Sequence, residues 1–135
     1  MGQETPIDIQ AQIEYWQTGS RLDWESALRL WSSGQDLHWA LFLAHLACEK
    51  ALKARVVQVT SSFAPRTHNL LRLAELAGLG ISLNQVDLLG AVNQFNLSIR
   101  YPDHQFAFYR RCTPDFTARY MRQIEEFLQW VGKQA

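Results

Sequence analysis

LHWALFLAHLACEKALKARVVQV, residues 37–59, carries the strongest helical pattern in the chain. Leu37, Leu41, Ala44, Cys48, Leu52, Arg55 or Val56, and Val59 recur at steps of three and four, which places them on one face of a helix. Trp39, Phe42 and Leu46 spread apolar character around the cylinder, so the helix is expected to be central, or to bury a second face against a partner chain. Glu49 and Lys53 stand at i and i+4 with the acid first, and read as a surface pair worth about 0.2–0.5 kcal/mol. His45 lies between two apolar positions and reads as a satisfied core or interface histidine, while His38 reads as a surface residue.

On the N-terminal side, Ile13, Trp16, Ser20, Trp24, Ala27 and Trp31 form the buried stripe of a helix expected from about Ile9 to Ser32. Gly19 inside it implies close approach of a neighbouring helix, since glycine costs about 1 kcal/mol relative to alanine in a helix interior. Gly34 in SSGQD is placed to take a left-handed cap.

On the C-terminal side, the turn-forming TSSFAPRT precedes a short helix from about His68 to Ala77. Ser82 and Gln85 have capping-box spacing and open a fourth helix whose buried stripe is Leu88, Val92, Phe95 and Ile99. Beside that stripe Asn93, Asn96 and Arg100 fall within about 60° of one another on an exposed flank. A last helix starts with Thr113 as cap, Pro114 and Asp115, and buries Phe116, Tyr120, Ile124, Phe127 or Leu128, and Val131. Without a strand pattern, the chain is expected to be an all-α, up-and-down bundle of about five helices, forming one domain over residues 1–135.

The 13 basic and 13 acidic residues balance, which argues against a chain coated in positive charge for non-specific nucleic-acid binding. Cys48 and Cys112 lack CxxC spacing and nearby histidine pairs, so reduced thiols are expected and no metal or cofactor. The N-terminus has no basic stretch followed by an apolar run, and no later segment reaches the roughly 18 apolar residues of a span, so a soluble cytoplasmic protein is expected, without membrane association.

Chemistry-bearing residues gather in NLSIRYPDHQ, residues 96–105. Pro102 pushes Tyr101 out of helical dihedrals, so the helix ends near Arg100, and Arg100 and His104 are not neighbours on one continuous helix. Two readings are open on the residues alone. In one, Arg100 caps the helix, Asp103 pairs with it and His104 is an exposed loop residue. In the other, Arg100 binds two phosphate oxygens, Asn93 and Asn96 donate amide protons, and His104 exchanges a proton near neutral pH. Beyond it, Arg110 and Arg111 are interleaved with Phe106, Phe108 and Tyr109, a pattern that either holds single-stranded nucleic acid or anchors a loop to the bundle. His68 reads as a loop-closing hydrogen-bonding residue.

The segments HLACEKALKA, THNL and RYPD, in this order and spacing, resemble the HEPN domain family (higher eukaryotes and prokaryotes nucleotide-binding), in its prokaryotic RYPD-type branch, over residues 14–130. The resemblance implies a helical homodimer, a minimal nucleotidyltransferase encoded beside it as the other half of a toxin–antitoxin pair, and RNA or a nucleotide as ligand. It also implies a metal-independent ribonuclease in which an arginine and a histidine, four to six residues apart, face a second copy across the dimer. Carried onto this chain, Arg100 is the arginine and His104 the nearby histidine, with Asn93, Asn96, Tyr101, Asp103, Arg110 and Arg111 as nucleotide- or RNA-binding candidates. Here three residues separate the pair and Tyr101 stands where a polar residue is frequent. A non-catalytic nucleotide-binding or partner-binding dimeric module is the rival implication.

Overall fold

The computed structural model describes residues 7–134, and among them there are six helices and no strand. They are α1 (Ile9–Ser33), α2 (Leu37–Thr60), α3 (Leu70–Leu76), α4 (Leu83–Arg100), α5 (Pro102–Arg111) and α6 (Pro114–Gly132). Local chemistry sets most of the ends. Asp8 accepts from Ala11 N at 2.9 Å at the start of α1, and Gly34 closes it with φ 71°. The side chains of Ser82 and Gln85 cap each other's backbone N–H, and Thr113 accepts from Phe116 N at 3.2 Å ahead of Pro114.

The helix α2 touches all five others, which is why apolar residues surround it. Its central role is as the sequence pattern indicates, although Val59, assigned to the buried face, is half-exposed near the C-terminal end. Against α2 lies α1, whose Gly19 makes room for Lys50: a Cβ there would stand 3.0 Å from Lys50 Cδ, and Lys50 Nζ is held by Asp23 at 2.7 Å. The other side of the core is aromatic. Phe95 of α4 is buried, stacked on Phe108 of α5 at 5.2 Å and edge-on to Tyr120 of α6 at 5.0 Å, so one ring ties three helices together.

Three further sequence expectations change. The segment 102–111, read as a loop, is the helix α5: Pro102 ends α4 by excluding Tyr101 from helical dihedrals (φ −105°, ψ 114°) and starts α5 as its first residue. Asp103 in its first turn and Arg110 and Arg111 in its last complement the helix dipole. The Glu49–Lys53 pair is not on the surface; its side chains are 6% and 7% exposed and 3.0 Å apart. His38 is also buried, edge-on to Tyr109 at 5.1 Å.

A candidate phosphate site at the end of α4

Arg100 is the last residue of α4 and is exposed. Its Nε donates to Asn96 Oδ1 at 2.8 Å, one helical turn back, and Asn96 is itself buried. The ion pairs among the described residues are Arg21–Glu25, Lys50–Asp23, Lys53–Glu49, His68–Glu49 and Arg72–Glu75; Arg100 belongs to none of them. Asp103 therefore does not neutralise it. What remains is a guanidinium tethered through Nε, whose two terminal nitrogens make no hydrogen bond among the described residues and form the fork that suits a phosphate or carboxylate.

The other candidates take up distinct positions. Asn93 is used by the fold: its Oδ1 accepts from Leu70 N at 2.9 Å and its Nδ2 donates to Asn69 Oδ1 at 3.0 Å, which seats the loop before α3 on α4. Asn96 orients Arg100. Neither is the free amide donor of the phosphate reading. His104 lies in the first turn of α5, exposed, with its ring edge-on to Tyr101 at 6.5 Å and no hydrogen bond to either ring nitrogen among the described residues. Tyr101 and Asp103 at the start of α5 and Arg110 and Arg111 at its end are exposed as well. On α5 only Phe108 is buried; Phe106 and Tyr109 stack on each other at 6.3 Å in solvent, and Arg110 lies over the Phe106 ring at 4.3 Å. The segment thus both anchors itself and presents aromatic and cationic groups.

Next to this flank α2 contributes titratable residues that sequence reasoning treated as structural. His45, Glu49 and Lys53 follow one another at steps of four, on a helix apolar almost all round, and that spacing was the signal to read. Glu49 accepts from Lys53 Nζ at 3.0 Å on one oxygen and from His68 Nδ1 at 3.0 Å on the other. His45 Nε2 lies 3.2 Å from the His68 carbonyl oxygen, which can only accept, so Nε2 carries the proton. Burial drives the His45 pKa down to about 4; Glu49 and the bond to the His68 carbonyl oppose this, and the charges of His68 and Arg100 add to it. The charge of Arg100 therefore bears on His45 of α2. Two surface grooves, of about 660 and 370 Å³, are lined by α4 with α6 and by α1, α2 and α6, and neither includes Arg100 or His104.

The model of the HEPN domain family matches residues 13–134. This chain belongs to the HEPN family. A similar solved chain is TT1696 from Thermus thermophilus, at 23% identity and a TM-score of 0.74, covering 90% of this chain and 97% of that one. It shows the shared fold. No curated protein matches the sequence. HEPN membership places the chain in a family of nucleotide-binding and ribonuclease-type domains. No helix among its described residues is long and apolar enough to cross a membrane.

Proposed function

We propose that this HEPN domain acts on RNA as a metal-independent ribonuclease, with Arg100 as its phosphate-binding group. The observation that carries the reading is the exposed guanidinium of Arg100, oriented by buried Asn96 and paired with no carboxylate among the described residues. RNA brings its own nucleophile, the ribose 2′-hydroxyl, so cleavage requires charge stabilisation on the phosphate oxygens and proton transfer at the two ends of the reaction. Arg100 supplies the first through its fixed charge and planar fork. His104 supplies a proton to the departing 5′-oxygen. The products are a 2′,3′-cyclic phosphate and a 5′-hydroxyl end. Arg110, with Phe106 and Tyr109, extends the surface for charge and base stacking.

The working unit is a homodimer in this reading. Trp39, Phe106 and Tyr109 are exposed large rings, joined through His38 into one aromatic face by ring contacts of 5.5, 5.1 and 6.3 Å. Such a face is suited to a second copy. Family membership supports a nucleotidyltransferase partner in a toxin–antitoxin pair. A second reading, a non-catalytic nucleotide-binding module, is favoured by His104 itself, whose ring has no hydrogen bond to orient it among the described residues. Labelled RNA incubated with the protein in EDTA separates the two. The ribonuclease reading expects cleavage that disappears in Arg100→Ala; saturable nucleotide binding without cleavage would replace it with the second.

A further inference from the structure

His68 is held differently from His104. Its Nδ1 donates to Glu49 Oε1 at 3.0 Å, and Glu49 is 6% exposed while the His68 side chain is 54% exposed. A buried carboxylate that accepts from Nδ1 fixes the neutral ring as the Nδ1–H form, so Nε2 carries a bare lone pair. Nε2 has no partner among the described residues. The side chain is not needed to close its loop. That work is done by the His68 carbonyl accepting from His45, by Leu70 N donating to Asn93, and by Asn93 donating to Asn69. Nor is it needed to neutralise Glu49, whose other oxygen is paired with Lys53 at 3.0 Å.

The loop carrying His68 is seated on α4 through Asn93, two helical turns before Arg100, or about 10 Å along the axis. Arg100 leans back along that axis, toward the Asn93 end of α4, to reach Asn96. The His68 loop and α4 thus meet through Asn93, and the charges of His68 and Arg100 both bear on the same buried His45. We infer that Glu49 and His68 are the proton-accepting pair of the Arg100 site, Glu49 positioning the ring and His68 Nε2 taking the proton of the ribose 2′-hydroxyl. This rests on the ribonuclease reading above and adds to it the base, which that reading leaves unassigned.

The step balances. The 2′-hydroxyl proton passes to His68 Nε2, the 2′-oxygen forms a bond to phosphorus, and the bond from phosphorus to the 5′-oxygen breaks with its electron pair leaving on that oxygen. Protonated His104 returns one proton to it, and exchange with water resets both rings. His68 is then a catalytic residue and Glu49 a positioning residue.

Single-turnover cleavage of a labelled RNA in EDTA tests this in wild type, His68→Gln, Glu49→Gln and Arg100→Ala, together with ¹⁵N NMR of the His68 ring. His68→Gln changes an exposed side chain, retains the fold, and should cut the rate about 100-fold or more with RNA affinity within about twofold of wild type. The wild-type ring should be the Nδ1–H form, and Glu49→Gln should lose both that preference and most of the rate. Cleavage that needs Arg100 but survives His68→Gln overturns the inference alone, as does an Nε2–H ring in wild type. Absence of cleavage by wild type, or cleavage indifferent to Arg100, overturns the ribonuclease reading with it. Should Glu49→Gln fail to fold, the His68 variant and the wild-type ring form decide.

Discussion

Replacing Lys53 by methionine keeps the aliphatic stem of the side chain and deletes its charge, leaving Glu49 ionised at 6% exposure with a single remaining partner, His68. Breaking a buried ion pair from one side costs about 3–5 kcal/mol because the surviving charge is uncompensated. His68 still donates to one Glu49 oxygen, which favours the lower end of that range. Lys53 Nζ also lies 5.1 Å from the Trp16 ring centroid, an attraction worth about 0.5–2 kcal/mol that is lost as well. The expected destabilisation is therefore about 3.5–5 kcal/mol. Urea unfolding followed by tryptophan fluorescence measures it, with Lys53→Met, Glu49→Gln and the double variant completing a cycle. Removing both charges should recover about 2 kcal/mol of the loss, leaving the double variant about 1.5–3 kcal/mol below wild type for the forfeited hydrogen bonds and the lost contact with Trp16. A Lys53→Met cost below about 1 kcal/mol, the worth of an exposed pair, would refute the burial argument.

The same geometry sets three further outcomes. His45, at about 4 in the folded chain against an ordinary 6.5, binds fewer protons folded than unfolded between those values, so stability present above pH 6.5 is lost on acidification. Between pH 7 and pH 5 the loss attributable to it is about 2 kcal/mol by that linkage, and urea curves of His45→Gln should show that much less pH dependence. Asn96→Ala frees Arg100 to move and should weaken RNA affinity about 2- to 10-fold, the worth of one immobilised side chain, whereas Arg100→Ala should cost about 10- to 150-fold; equal effects in a filter-binding titration would mean that Asn96 does more than orient. Burial pushes the Cys48 and Cys112 thiols up to about 12, so both should resist a thiol reagent at pH 8 in the folded protein and react in urea.

What could be read from the chain was local chemistry. The Ser82–Gln85 box, Thr113 with Pro114, and the Gly34 cap each depend on residues within a turn of one another, so spacing is enough to find them. The central place of α2 was legible too, because a helix apolar on all sides has no face to give to solvent. Depth was not legible. Glu49 and Lys53 have the spacing of a surface pair, but Trp16 of α1 and the His68 loop, well separated in sequence, lie against them. The helix α5 was hidden by Pro102, whose ring is equally suited to stopping one helix and to opening the next. At the site, Arg100 could be picked out by its place at a helix break. The use of Asn93 by a partner 24 residues away, and the orientation of His68 by Glu49, are tertiary facts that no helical period reveals.

The most direct measurement is cleavage of a 5′-labelled RNA by wild type and Arg100→Ala in EDTA, with the product ends identified. Wild type should cut and leave 2′,3′-cyclic phosphate ends, and Arg100→Ala, folded by circular dichroism, should lose the activity. Cleavage by Arg100→Ala at the wild-type rate, or products bearing a 3′-hydroxyl, would contradict the assignment of Arg100 as the phosphate-binding group of a metal-independent ribonuclease.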